Sequence, residues 1–244
     1  MTAMPKHLFF DLDETLTPSR SMMLSAHVPL FEAICRIRDV IVVSGAQESQ
    51  MSKQLPPQTE DCTYFMLTQN GNHAIAPDRS VLWSERFKSD QTALVLEFIR
   101  LIHDELALSV SNEADLVEIR GSQISYSLVG HNERLEVKKA FDPHGSKRRE
   151  ILARRFSDVQ KLTENGIEIT VGGTTCLDIY LLGKNKGFHV PRLIEQMAWQ
   201  KNDSLYFGDA LEPGRNDESV IGVIPTQAVS GPDETFESIA KMLS

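Results

Sequence analysis

The apolar run Leu8-Phe9-Phe10 leads directly into Asp11-Leu12-Asp13. A short apolar run bounded by polar punctuation reads as a buried strand. Asp11 and Asp13 then fall where that strand ends, the place where chemistry collects in open α/β sheets. Alternate residues of an extended segment point the same way, so both carboxylates can face one site. Two such carboxylates repel each other unless a cation or a proton lies between them. A hard divalent ion, Mg²⁺, is the natural partner.

The pattern that follows is strand and helix in alternation. A helix is expected over 29–37, with Leu30, Ala33, Ile34 and Ile37 on one face. Val40 to Val43 is β-branched throughout, like a strand buried on both faces of a parallel sheet, and it ends in Ser44-Gly45. A helix over 47–54 stops at Pro56-Pro57, and a strand over 64–67 turns back at Asn70-Gly71 into 73–76. The texture changes near Ser84. A strongly striped helix over 91–106 precedes a hairpin of 116–120 and 123–129. A helix over 146–156, with Ile151, Leu152 and Phe156 inward, leads to two half-exposed strands over 167–171 and 177–181. Strands with one wet face suggest a mainly antiparallel sheet with helices on its other side. The α/β pattern then resumes, with a helix over 186–199, strands over 205–209 and 220–224, and a helix over 233–243. The expected fold is α/β: a Rossmann-like parallel-sheet core domain from 1–83 and 184–244, with an inserted α+β cap domain at 84–183.

Composition narrows the function. A net charge of −9 argues against binding a polyanion by charge alone, so no nucleic-acid partner is expected. No apolar run approaches the length needed to span a bilayer, and no signal-peptide pattern opens the chain. Cys35, Cys62 and Cys176 are odd in number and widely spaced, as free thiols in a reducing compartment would be. A soluble, cytoplasmic monomer or homodimer without a membrane partner is the expectation.

Four features lie at strand ends of the core: Asp11 with Asp13, Ser44, Lys186 at a helix start, and Asp209 with Asp217. Apart from the first pair, each alone reads as a turn former, a helix cap or a solvated charge. In this order they assemble into a site for phosphoryl transfer. A carboxylate nucleophile divides a hard displacement into two steps through an aspartyl phosphate. Mg²⁺ removes the repulsion between carboxylate and phosphate. Lys186 can neutralise further charge, and Ser44 can hydrogen-bond a phosphoryl oxygen. Asp13 can protonate the leaving alkoxide and then deprotonate the second nucleophile. Lys184 rivals Lys186, but Asn185-Lys186-Gly187 sits better at a helix start.

The order Asp11-Leu12-Asp13-Glu14-Thr15-Leu16-Thr17, Val42-Val43-Ser44-Gly45, Lys186 and Gly208-Asp209 through Asn216-Asp217 resembles the haloacid dehalogenase-like phosphotransferases. That resemblance implies Asp11 as nucleophile and Asp13 as general acid/base. It implies Mg²⁺ held by Asp11, the Asp13 carbonyl and Asp209, with Asp217 close by as a ligand or as an anchor for metal-bound water. The insert is similar to a type IIB cap. Through Thr17-Pro18-Ser19-Arg20, Gln69-Asn70-Gly71, Arg120-Gly121 to Ser127, Glu133-Arg134, Gly172-Gly173 and Leu177-Asp178, the chain resembles eukaryotic-type phosphomannomutases. Arg20, Asn70, Arg120, Arg134 and Asp178 are thereby implied in binding a phosphosugar. Arginine suits phosphate because its fork meets two oxygens at once.

The chain also departs from that pattern. It has Ser44-Gly45-Ala46-Gln47 in place of Gly-Gly-Ser-Asp, His131 for a second cap arginine, Cys176 for serine and Glu14 for glycine. A mutase must hold a bisphosphate intermediate at both ends, and histidine is at best partly charged near neutrality. The leading expectation is therefore a Mg²⁺-dependent phosphatase acting on a phosphorylated sugar or similar small metabolite. The alternative is a phosphomannomutase interconverting mannose 6-phosphate and mannose 1-phosphate. A signalling receiver domain shares the aspartate, hydroxyl and lysine but needs no cap of this size, and the full acidic set argues against a mere scaffold.

Overall fold

A computed structural model describes residues 4–108, 110–213 and 215–244. The chain divides into two compact units, one reaching Ser84 and resuming at Lys184, the other running from Glu85 to Gly183.

The first unit begins with β1 (His7–Asp11), α1 (Val28–Cys35), β2 (Asp39–Val43), α2 (Glu48–Gln54), β3 (Phe65–Thr68), β4 (His73–Ile75) and β5 (Val81–Ser84). Among the described residues the second unit comprises α3 (Ser89–Leu106), β6 (Val117–Ile119), β7 (Gln123–Ser127), α4 (Leu135–Phe141), α5 (Ser146–Arg154), α6 (Phe156–Glu164), β8 (Ile167–Gly172) and β9 (Cys176–Leu181). The first unit then closes with α7 (Lys186–Gln196), β10 (Ser204–Gly208), β11 (Thr226–Ala228) and α8 (Pro232–Leu243).

Among the described residues the first sheet runs β11-β10-β1-β2-β3-β4-β5. Its first five strands are parallel, and β4 and β5 are antiparallel additions. Period-two alternation gives the sheet two dry faces. Leu8, Phe10, Val40, Val42 and Met66 pack with Phe31, Ile34, Phe236 and Ile239 of α1 and α8. Phe9, Ile41, Val43, Phe65 and Leu67 pack with Val190, Leu193 and Ile194 of α7. A strand buried on both faces needs apolar side chains at every position, which is why the run 40–43 carries no polar residue.

In the second unit the sheet order is β6-β7-β9-β8, antiparallel throughout. Ile124, Tyr126, Leu177 and Ile179 pack against Val95, Phe98, Ile99 and Ile102 of α3. The opposite face carries Ser125, Ser127, Cys176 and Asp178.

The α/β class stands, but three local expectations do not. The run 220–224 is not a strand: a 3-10 turn spans Glu218–Val220, Gly222 takes φ +79°, and the strand is β11, further on. Val220 and Ile224 are buried, so the apolar pattern reports a plugged loop. The helix expected over 146–156 ends at Arg154, and Phe156 opens α6 with two-thirds of its surface exposed. Helix α1 ends at Cys35, which leaves Ile37 half exposed beyond it.

One buried polar network anchors the second unit. Arg148, in α5, pairs with Asp142 at 2.8 Å, and both side chains are almost wholly buried. Arg148 Nη1 donates to the carbonyls of Gly172 (2.6 Å), Gly173 (3.2 Å) and Cys176 (3.0 Å), clamping the β8–β9 turn. Replacing one partner of a buried pair leaves an uncompensated charge, so Arg148→Met is expected to lower stability by about 3–5 kcal/mol. Urea unfolding of the variant measures this, and a loss below 1 kcal/mol would show that the clamp is dispensable.

Candidate active site

Parallel pairing of β1 with β10 and with β2 brings three strand ends together. Phe10 lies opposite Phe207, and Asp11 lies opposite Val43, so Asp209 and Ser44 emerge on either side of Asp11. Asn185 caps α7 by accepting from Phe188 N at 3.2 Å, which sets Lys186 as its first residue. The Lys186 ammonium is fully buried and donates to Asp11 Oδ1 and to Asp217 Oδ1, the latter at 2.7 Å. Lys184 instead lies 3.7 Å above the Phe188 ring, so Lys186 is the lysine at the carboxylates.

Asp11, Asp209 and Asp217 each bring one carboxylate oxygen within 4.8 Å of the others. Burial pushes the Asp11 carboxyl up to about 7; Lys186 opposes that shift, while Asp217 and Asp209 add to it. Burial likewise raises Asp209, with Asp217 contributing. Burial opposes the charge on Lys186, yet the two carboxylates together hold its ammonium above the ordinary lysine value. Asp217 Oδ1 also accepts from Tyr206 Oη at 2.7 Å, whereas its buried Oδ2 has no partner among the described residues. A Cβ on Gly208 would come within 2.4 Å of that oxygen, so only glycine leaves it room. Three carboxylates against the buried Lys186 and the half-exposed Arg215, whose Nη2 lies 3.8 Å from Asp209 Oδ2, still leave uncompensated negative charge and an orphan oxygen. That donor set fits a hard, oxygen-loving divalent ion.

The other core positions are placed as follows. Asp13 is not in the carboxylate cluster: its Oδ1 accepts from Arg20 N at 2.6 Å and from Gln54 Nε2 at 3.0 Å. The Arg20 side chain is exposed, and its backbone lies in the left-handed region at φ +52°. Ser44 Oγ accepts from Ala46 N at 3.1 Å, and Ser44 O accepts from Asn70 N at 2.8 Å, so these two loops are locked together. The Asn70 Oδ1 is buried beside Gly45 without a partner among the described residues. Gly214, within the motif that carries Asp209 and Asp217, lies outside the described residues.

Four residues that hold this geometry carry no functional signal in the sequence. Gln54 also donates to Thr17 Oγ1 at 3.0 Å and so ties α2 to the loop after β1. Thr15 Oγ1 accepts from Asp209 N at 3.1 Å. Asn72 donates to the carbonyls of Gln69 and Lys184, both at 2.8 Å, which joins the Asn70 loop to the entry of α7. Tyr206 was hidden differently, as one more apolar residue of a strand.

The second unit has its own polar cluster. Pairing of β7 with β9 sets Ser125 opposite Asp178, and Ser125 Oγ donates to Asp178 Oδ1 at 2.6 Å. Gly172 lies under the same carboxylate, where an added Cβ would meet Asp178 Oδ2 at 1.7 Å. Arg120 is mostly buried and its Nε donates to Glu118 at 3.0 Å. His131 Nδ1 lies 3.8 Å from Glu118 and 4.0 Å from Cys176 Sγ. Arg134 stands apart, with its side chain about four-fifths exposed and a single carboxylate, Glu133, at 3.9 Å.

The model of the eukaryotic phosphomannomutase family matches residues 30–244. The phosphomannomutase of Schizosaccharomyces pombe is 26% identical over 98% of this chain and 95% of its own length. That of Saccharomyces cerevisiae is 24% identical over 97% of this chain and 94% of its own. Among solved structures, a haloacid dehalogenase-like hydrolase from Bacteroides thetaiotaomicron shares the fold at a TM-score of 0.70 and 13% identity, covering 98% of this chain and 99% of that one. No helix among the described residues is long and apolar enough to cross a membrane. A strand-end carboxylate cluster with its buried lysine, on this fold and under a family model that spans most of the sequence, places the chain in the eukaryotic phosphomannomutase family of haloacid dehalogenase-like enzymes.

Proposed function

We propose that the chain transfers a phosphoryl group through an aspartyl phosphate on Asp11, and that its reaction is the interconversion of mannose 6-phosphate and mannose 1-phosphate. The observation that carries this reading is the family match over residues 30–244, on a chain whose Asp11, Asp209, Asp217 and Lys186 converge.

Asp11 attacks phosphorus, with one carboxylate oxygen held by Lys186 and the other free to form the P–O bond. Lys186 stays protonated beside Asp11 and Asp217, so it keeps a fixed positive charge against the incoming phosphate. Asp13, oriented by Gln54 and the Arg20 amide, gives a proton to the departing sugar oxygen and later takes one from the second nucleophile. The Ser44 hydroxyl is assigned to a phosphoryl oxygen and Asn70 to the phosphosugar. Mg²⁺, held by Asp11, Asp209, Asp217 and the Asp13 carbonyl when bound, would supply charge neutralisation at the transferring group. Arg20, Arg120, Arg134 and Asp178 are assigned to the phosphosugar. Asp178 accepts hydrogen bonds from sugar hydroxyls, and the arginines donate to phosphate oxygens.

Hydrolysis is the second reading, favoured by Ser44-Gly45-Ala46-Gln47 and by His131 where an arginine is the family pattern. Either reaction begins with the same phosphoenzyme; they differ in whether a sugar hydroxyl or water takes the phosphoryl group. The test follows mannose 6-phosphate and free phosphate from mannose 1-phosphate with Mg²⁺, with and without a trace of glucose 1,6-bisphosphate. The proposal expects mannose 6-phosphate that depends on the bisphosphate and is abolished by EDTA. Free phosphate alone would replace the mutase reading with a phosphatase, and neither product would remove the hexose.

A further inference from the structure

The two second-unit departures from the family pattern, His131 and Cys176, touch each other. Cys176 opens β9, opposite Ser127 on β7, and its sulfur lies 4.0 Å from His131 Nδ1. The other ring nitrogen, Nε2, lies 3.2 Å from the Ser125 carbonyl oxygen. A carbonyl can only accept, so Nε2 must carry a proton in that contact. Nδ1 is then the basic nitrogen of the neutral ring, turned toward the thiol. The imidazole side chain is about nine-tenths buried and so keeps this orientation, while Cys176 retains partial exposure.

We propose that Cys176 and His131 form a thiolate–imidazolium pair, and that Cys176 is a modification site for hydroperoxides and other small electrophiles.

In the resting pair the thiol proton resides on His131 Nδ1. The Cys176 sulfur attacks one peroxide oxygen; the S–O bond forms and the O–O bond breaks. The leaving oxygen takes the imidazolium proton, giving water from hydrogen peroxide or an alcohol from an organic one. Sulfur is oxidised to the sulfenic acid, and the peroxide is reduced.

The charged groups around the pair act in both directions. Glu118 lies 3.8 Å from Nδ1 and favours imidazolium, whereas Asp178, two residues along β9, disfavours the thiolate. Arg120 is engaged with Glu118, and Lys138 Nζ donates to the His131 carbonyl at 2.7 Å. Burial, the largest single influence on each group, works against both charges; the mutual contact, together with Glu118 and the Ser125 carbonyl at His131 and the Ser125 hydroxyl at Cys176, outweighs it, so Cys176 is held below the ordinary thiol value and His131 above the ordinary imidazole value. Cys35 and Cys62 serve as internal comparators. Their mutual hydrogen bond pushes the Cys35 thiol up and holds Cys62 down, so it is burial, with Cys62 only 1% exposed, that keeps reagents from Cys62.

The test is iodoacetamide alkylation of the whole protein at a series of pH values, read by peptide mass at each cysteine. A parallel arm uses hydrogen peroxide with dimedone capture. The expected result is a Cys176 rate with its midpoint below about 8.5, the ordinary thiol pKa. Cys176 is also expected to be the peptide that captures dimedone. His131→Gln is expected to slow Cys176 at pH 6.5 at least about ten-fold, the thiolate fraction lost per unit of pKa, and to leave Cys35 and Cys62 unchanged. An ordinary midpoint in the unmutated protein, or a Cys176 rate indifferent to His131→Gln, would overturn the proposal. The unmutated profile decides the question even if the variant folds poorly.

Discussion

Asp11→Asn is expected to reduce phosphoryl transfer by at least about 10³-fold, as loss of a covalent nucleophile does. The substitution keeps the volume and one acceptor for Lys186, and Asp217 remains to pair with that ammonium. Stability is expected to respond in the opposite sense. Burial raises the Asp11 carboxyl to about 7, with Asp217 and Asp209 contributing repulsion. A group whose pKa is higher in the folded state contributes stability that is full below its unfolded value, near 3.8, and is lost as pH rises through about 7. At pH 8 the unmutated protein therefore carries a buried charge that asparagine lacks, and the variant should unfold at an equal or higher temperature. Turnover with the hexose phosphate and a thermal melt at pH 8 check the two halves separately. Retained turnover would remove Asp11 from the chemistry. Lost turnover with a much lower melting temperature would mean that the site, and not the nucleophile alone, had collapsed.

How far the sequence could be read depended on whether a residue's signal was local. Leu8 to Phe10 and Val40 to Val43 declare their strands because burial on both faces demands unbroken apolar character. Asp11, Asp209 and Lys186 could be picked out because each lies at an element boundary, and Asp217 through the motif that follows β10. Gln54 and Asn72 carry no such mark. Each is a single polar residue whose partners lie in other segments, Asp13 and Thr17 for one, the Lys184 carbonyl for the other. Residues 220–224 mislead for the converse reason: only Val220 and Ile224 of the apolar run are buried, Ile221 is half exposed, and Gly222 turns the run into a loop. Arg120 and Arg134 look alike in the sequence, yet one lies against Glu118 and the other projects into solvent. The choice between water and sugar as final acceptor was weighted toward water by Ser44 to Gln47 and His131. The extent of the family match weighs the other way.

Acid is expected to weaken the first unit through His189. This residue of α7 is completely buried, and neither ring nitrogen has a partner among the described residues. Its ring stacks over Trp83 at 6.0 Å, and its Cβ backs onto Gly71, where an added Cβ would come within 2.4 Å. Burial, with Arg192 and Lys184 adding repulsion, depresses its pKa to about 3 from an ordinary 6.5. The unfolded chain therefore binds a proton that the folded chain refuses, so stability falls as pH drops through 6.5 toward 3. Between pH 7 and pH 5 the linkage amounts to about 2 kcal/mol, approaching roughly 5 kcal/mol at the acid end. His189→Leu removes the proton acceptor while keeping an apolar group against Trp83. Urea unfolding of both proteins at pH 7 and pH 5 isolates the effect, because other titrating groups cancel in the comparison. The variant should lose about 2 kcal/mol less than the parent over that interval; equal losses would show that His189 is protonated in place. Since α7 also positions Lys186, and Gly71 adjoins Asn70, His189 can take up a proton only when α7 opens from this pocket, and that opening would loosen the lysine and the amide together. Activity should then decline on acidification before the fold is lost, and His189→Leu should move that decline to lower pH.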